Sequence, residues 1–405
     1  MSILGLFSLP VRELMSTPLD TDICLIGGGI AGLWLNARLR AAGFSTLLIE
    51  QNQLGGGQSM KSQGIIHGGT KYALQGSLTQ AAEAISGMPA RWRACLEGRG
   101  ELDLSGVRVL SQHHYLWSPG SMISNLAGFF ASKALRGRVD QIKGKSLPEV
   151  FAHPAFKGKV YQLAELVLDV PDLVRHLAEL SAESLVADPD PRVLQGADGD
   201  IQGIAIEGHL IRAQRYILCA GEGNEQLLQQ WGLSKPAMQR RPLQMVLVKG
   251  AQLPPLYAHC LGSSPKPRLT VTTHPCHDGQ WCWYLGGEIA EQGVEQSAAQ
   301  LIAKAQQELA SLLPWVDLSG CQWQTLHVNR AEPAQSGLTR PDSAYLQASS
   351  NGLVSWPTKL ALAPDLSDQI LAELERQGIQ PSAQKSNPSL PRPAPAVPVW
   401  DSLFP

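Results

Sequence analysis

"DICLIGGGIAGLWLNARLRAAGFSTLLIE", residues 22–50, is the stretch on which the fold turns. "DICLIG" is a short apolar run of strand length, "AGLWLNARLRAAG" has apolar residues at helical spacing up to Gly43, and "STLLIE" is a second strand. Together they predict a βαβ unit. Gly27, Gly29 and Gly32 form G-x-G-x-x-G at the strand-to-helix turn. Gly27 permits the tight turn, Gly29 lets backbone approach a diphosphate at the helix N-terminus, opened by Ile30 and Ala31, and Gly32 lets helix and strand pack closely. Glu50, followed by Gln51, ends the second strand where a carboxylate can accept hydrogen bonds from ribose hydroxyls. That carboxylate would repel a 2'-phosphate, which disfavours NADP and leaves FAD and NAD.

The continuation, "QNQLGGGQSMKSQGIIHGG" (residues 51–69), separates these two. An NAD domain would run from Glu50 into another helix and a third parallel strand. Here a second glycine cluster follows instead, with Gly55, Gly56, Gly57, Gly64, Gly68 and Gly69 close together. Such density lets backbone pass near a flat or charged surface while supplying N–H donors. A long ligand such as FAD needs a second contact zone beyond its diphosphate.

The glycine pattern with Glu50, the segment "SMKSQGIIHGGTKYAL" and the later "YILCAGEGNEQLL" resemble the D-amino-acid oxidase superfamily of flavoproteins. Within it the chain is most similar to FAD-dependent glycerol-3-phosphate and L-2-hydroxyglutarate dehydrogenases, over roughly residues 22–375. The resemblance implies an α/β fold, α+β overall: a Rossmann-like FAD-binding domain with an inserted antiparallel-sheet substrate domain. It implies that Ser59 and Ser62 lie by the diphosphate and ribityl chain, that Gln63, Gly64, Ile66 and His67 pass the flavin ring, and that Ala220 and Gly221 close a strand by the adenosine half. Strand "WCWYLGGE" matches the family's pocket floor. Lys359, with Leu360, matches the lysine of a Gly-Gly-Lys segment near flavin N1, although Trp356 and Pro357 stand where glycines are expected.

For chemistry, His67 is the first candidate to manage a proton, a role imidazole fills near neutral pH. A packed ring shaping the flavin and a covalent flavin attachment point are the alternatives. Lys71 and Tyr72 stand where the glycerol-phosphate enzymes carry Arg-Tyr; lysine keeps the charge and loses bidentate geometry. Arg330, in "HVNRAEPAQ", matches an arginine that grips a substrate carboxylate or phosphate, here separated from Pro333 by Ala331 and Glu332. The expected substrate is a small anion, a 2-hydroxy acid, polyol phosphate or amino acid, giving up a hydride from a C–H next to a hydroxyl or amine. An amino-acid oxidase of the same fold and a flavin-binding scaffold without turnover are the rival readings.

The 405 residues carry a formal charge of -2, which gives no broad electrostatic case for a nucleic-acid or anionic-membrane partner. No apolar run reaches the roughly 20 residues of a spanning helix. Seven cysteines without paired spacing read as reduced thiols, hence a cytoplasmic location, compatible with peripheral contact on the inner membrane face. With no second dinucleotide motif, oxygen, a quinone or a carrier protein is the expected electron acceptor.

The organisation expected is an N-terminal extension over 1–19, an FAD-binding domain over 20–105, 168–240 and 329–380, and a substrate domain over 106–167 and 241–328. Helices are expected at "DLVRHLAELSAESL", "SAAQLIAKAQQELASLL" and "PDLSDQILAELERQG", and separate strands at "HLIRAQ" and "RYILCAG". "HPCHDGQWC" has no zinc-like spacing and reads as a hairpin, with no metal expected. His113, His114 and Tyr115 read as ordinary strand residues. The proline-rich stretch 381–405 is expected to be an extended tail, with docking of Trp400, Leu403 and Phe404 on the body or on a partner as the alternative.

Overall fold

Three β-sheets organise the computed structural model, which describes residues 18–69, 85–119, 139–262, 266–336, 343–382 and 389–404. Lys71 and Tyr72 lie outside the described residues, as does most of the N-terminal extension. β1 (Leu19–Ile26) leads into α1 (Ile30–Ala41), and β2 (Thr46–Glu50) returns parallel to β1 with Ile23 beside Thr46 and Ile26 beside Ile49. The first sheet runs Arg192–Gln195, Ile201–Ile206, His209–Leu218, β1, β2, Leu185–Ala187. Side chains alternate across it: Ile23 and Leu25 pack with α1 and the helix Ala363–Arg376, while Cys24 and Ile26 join Leu47, Ile49, Tyr216 and Leu218 in a second cluster.

The two expected strands "HLIRAQ" and "RYILCAG" are one, His209–Leu218. β1 pairs with it from Ile211 to Leu218. On the other edge its first residues pair antiparallel with Ile204–Ile206 and its last ones parallel with Gly352–Val354. Two half-length partners thus complete one strand, which local sequence cannot show.

The second sheet has the order Gln322–Pro333, Met238–Gly250, Trp281–Gly286, Pro267–Pro275, Ala258–Leu261, His114–Ser118, Lys159–Leu163, Val139–Ile142. Its first two strands run through positions 240/241 and 328/329. The hairpin reading of "HPCHDGQWC" matches the antiparallel pairing of His274 with Cys282. One face carries Val246, Val248, Trp283 and Leu285 beneath the helix Ala298–Leu312, whose N-terminus is closed by a Ser297–Gln300 capping box. Period-two alternation sends Met245, Leu247, Cys282 and Tyr284 to the opposite face. A third, small sheet joins Ile65–Ile66, Leu166–Leu168 and Val109–Ser111.

That opposite face is where the C-terminal stretch departs from expectation: it is docked. Val399, Trp400 and Phe404 are buried in the same cluster as Met245 and Tyr284. Prolines keep residues 389–398 extended, but Val399–Leu403 is a short helix, contrary to expectation, and what holds the segment is long-range packing. Trp400 stacks on His274 with ring centroids 4.1 Å apart. His274 is fully buried, and burial pushes its pKa down from 6.5 to about 3. Between those values the unfolded chain binds the proton and the folded one does not, so stability is lost as pH falls below 6.5. Taking pH from 7 to 5 should cost about 2 kcal/mol through this residue. His274→Gln should flatten the pH dependence of the urea midpoint by that amount; an unchanged slope would refute it.

Candidate functional site

A cavity of about 1240 Å³ opens between the first two sheets and gathers both glycine clusters. Gly27, at the end of β1, has φ +116°, and a Cβ there would lie 2.6 Å from Ala220 Cα. A Cβ on Gly32 would lie 1.9 Å from the Gly27 carbonyl oxygen. The turn is therefore closed to larger residues, and it presents the start of α1 to the cavity, where partial positive charge collects. Gly29, Ile30 and Ala31 line the wall. Glu50 and Gln51 line it too, and the two Glu50 oxygens accept N–H groups from Gly28 at 2.6 Å and Asn52 at 2.8 Å. A carboxylate keeps further lone pairs for ribose hydroxyls.

The cavity suits FAD on its own polar inventory. Ser59 Oγ accepts the Ile30 N–H at 2.9 Å and retains its own proton for a phosphate oxygen. Ser62 lines the cavity, and its Oγ is a buried hydroxyl with no hydrogen-bond partner among the described residues. Gln63, Gly64, His67, Ala220, Gly221, Lys359 and Leu360 are on the wall as well. Gly32 and Ile66 are not: Gly32 acts through packing, and Ile66 is wholly buried in the small sheet, where Ile65 takes the wall position instead. Trp356, at an expected glycine, donates its indole N–H to the Gly221 carbonyl at 2.9 Å and so ties two wall segments together.

The wall around His67 holds what the sequence does not reveal. His67 Nδ1 lies 3.2 Å from Glu165 Oε2, while Glu165 Oε1 accepts the Gly68 N–H at 3.0 Å. Glu165 is buried. Burial pushes its carboxyl up, but the hydrogen bond and charge of His67, the charge of His114 and the Gly68 N–H outweigh it and hold the pKa at about 2. The carboxylate is thus an anion at neutral pH, and Nδ1 of His67 is the protonated nitrogen that donates to it. His259 stacks parallel to His67 at 6.1 Å, its Nδ1 2.8 Å from Thr270 Oγ1. Ring atoms of His67 and His259 and a Glu165 oxygen all lie within 4.8 Å of one another, a set of metal-ligand type. At 3.2 Å the Nδ1–Oε2 pair is also within hydrogen-bonding distance, the geometry of an acid–base pair. His114, expected as an ordinary strand residue, is in a strand and packs 4.2 Å from His259 behind this wall.

Arg330 also lines the cavity, directly across the strand pair from Arg241. Glu332 pairs with Arg241 and accepts from Gln239 Nε2 at 3.0 Å, so the Arg241 charge is balanced next to the strand. The Arg330 Nε donates to the Arg241 carbonyl at 3.2 Å, which fixes the guanidinium plane at the wall. Gln63 Nε2 donates to the Tyr284 carbonyl at 2.9 Å, bringing the second glycine cluster against the second sheet, where Gly286 leaves room for it.

Comparison with known proteins agrees with this geometry. The family model described as FAD dependent oxidoreductase (DAO) matches residues 22–329. An FAD-dependent oxidoreductase of Pseudomonas aeruginosa is 60% identical over 392 residues, covering 96% of this chain and 100% of that protein. Its crystal structure superposes with a TM-score of 0.86 over 96% of this chain and 100% of that one, at 55% identity. Glycine oxidase of Geobacillus kaustophilus (TM-score 0.65, 17% identity, 90% of this chain and 96% of that one) shares the fold. So does L-α-glycerophosphate oxidase of Mycoplasma pneumoniae solved with FAD bound (TM-score 0.61, 12% identity, 93% and 100%). The chain belongs to the DAO family of FAD-dependent oxidoreductases, and it is an enzyme whose cofactor is FAD.

Proposed function

We propose that the enzyme oxidises a small anionic substrate at a C–H bond next to a hydroxyl or amine: a 2-hydroxy acid, polyol phosphate or amino acid. The observation that carries this reading is the His67–Glu165 pair lining the same cavity as Arg330. FAD, when bound, supplies the hydride acceptor. Glu165 accepts the Nδ1 proton of the neutral His67 ring, which leaves the Nε2 lone pair to take the substrate's hydroxyl or ammonium proton, and the carboxylate then stabilises the imidazolium so formed. Arg330 offers a planar fork to a carboxylate or phosphate, and Lys359, buried on the wall, supplies positive charge toward the cofactor. Seven free thiols, six of them buried, fit a reducing, cytoplasmic setting. The electron acceptor on this reading is oxygen, a quinone or a carrier protein.

An anaerobic panel of 2-hydroxy acids, polyol phosphates and amino acids, followed at the flavin absorption band, tests the reading and names the class. Bleaching by one anionic class is expected. Retained FAD that no member reduces would overturn this substrate class. With the substrate in hand, Arg330→Ala should weaken its apparent binding by about 1.5–3 kcal/mol, the loss of a charged hydrogen bond. Unchanged affinity would remove Arg330 from the substrate site.

A further inference from the structure

We infer that the C-terminal segment 391–404 is a clamp that positions the cofactor loop 54–63 from behind. At the first sheet the Pro391 carbonyl accepts the Ala187 N–H at 2.7 Å. Three residues on, the Leu54 N–H donates to the Ala394 carbonyl and the Ala396 N–H to the Leu54 carbonyl, both at 2.9 Å. Leu54 in turn packs under Gly28, in the turn that opens α1. One end of the segment therefore bears on the loop just after Glu50.

The other end bears on the second sheet at the residues that grip the same loop. Trp400 stacks on His274, whose Nε2 is 2.9 Å from Thr272 Oγ1, and Thr272 accepts from Gln63 Nε2 at 3.4 Å. Trp400 also meets Tyr284 edge-on, and the Tyr284 hydroxyl donates to the Lys61 carbonyl at 3.0 Å. The segment is pinned beyond Trp400 as well: Asp401 accepts the His277 N–H at 2.9 Å, and Lys249 Nζ donates to the Phe404 carbonyl at 3.3 Å. Lys61 and Gln63 both line the cavity. A buried aromatic slab thus stands behind two side chains that fix two points of the loop, while a strand-like run fixes a third. Rigid support of this kind lowers the ordering cost that the cofactor must meet on binding.

FAD affinity of the full-length protein, measured on apoprotein by equilibrium dialysis and needing no substrate, tests the clamp apart from the proposed reaction. Trp400→Ala should raise the FAD Kd at least tenfold, and Trp400→Phe should restore it to within about threefold of the parent. Leu309→Ala, in the helix on the other face of the second sheet, lowers stability without touching the loop and should leave Kd unchanged. If Trp400→Ala does not fold, Ala396→Pro, which deletes one N–H donor to Leu54, decides with the same direction of change. Parental Kd in the folded variants, or an equal rise in Leu309→Ala, overturns the clamp.

Discussion

Gly32→Ala should yield a protein that loses its FAD on dialysis and is less stable by about 3 kcal/mol. The added methyl would sit 1.9 Å from the Gly27 carbonyl oxygen and 3.1 Å from Cys219 Sγ. Relief by moving Gly27 is blocked, because Ala220 backbone closes the space beside it, 2.6 Å from where a Cβ would stand. Relief by moving α1 is costly too, since Leu33, Trp34, Leu35 and Leu39 bury the helix on several sides. Whatever shift occurs tilts the start of α1 from the cavity and breaks the Ile30–Ser59 hydrogen bond. Backbone N–H groups at a helix N-terminus hold a diphosphate only where they converge. The urea midpoint and the flavin retained after dialysis report both effects. Gly320→Ala, away from the cavity, is the matched control: nothing lies within 4 Å of the place its methyl would take, so a change within about 0.5 kcal/mol is expected. A yellow Gly32→Ala protein of parental stability would refute the account.

The contrast between those two glycines shows what local sequence can carry. Gly32 is legible because its neighbours in the motif, a strand before and a helix after, impose one geometry over a few residues. The same holds for Ser297 and Gln300, whose spacing announces a helix start. Glu165 is not legible. It sits between the strands Lys159–Leu163 and Leu166–Leu168, and its partner His67 is 98 residues away. The one local signal is an acid set among apolar residues in "LAELVL", which a buried, paired carboxylate requires and a surface turn also permits. His259, in "LYAHCLG", gives a similarly weak sign. The tail shows the same limit from another direction: proline content fixes an extended backbone up to Pro398, but the short helix Val399–Leu403 and its docking depend on Trp400 meeting His274 across the fold.

His67→Ala should slow flavin reduction by the substrate at least 100-fold, within the range of about 10²–10⁴ that a positioned general base contributes, while FAD content stays at the parental level. Glu165→Gln separates orientation from proton transfer. The amide keeps the size of the side chain and can still accept the Gly68 N–H, but it removes the negative charge opposite His67 Nδ1. If the carboxylate acts by favouring the charged imidazole, reduction should slow by about tenfold or more, with substrate affinity nearly unchanged. The pH profile isolates this effect. A carboxyl held at about 2 in the folded state and near 4.5 unfolded contributes stability above pH 4.5, lost as pH falls toward 2. Between about pH 5 and 9 Glu165 does not titrate, so a bend of the rate profile in that window belongs to another group. Glu165→Gln should shift that bend toward lower pH, since a cation without its anion gives up its proton more readily. A bend at the same pH in parent and variant, with an equal rate, would show that Glu165 packs the His67 ring without assisting its chemistry.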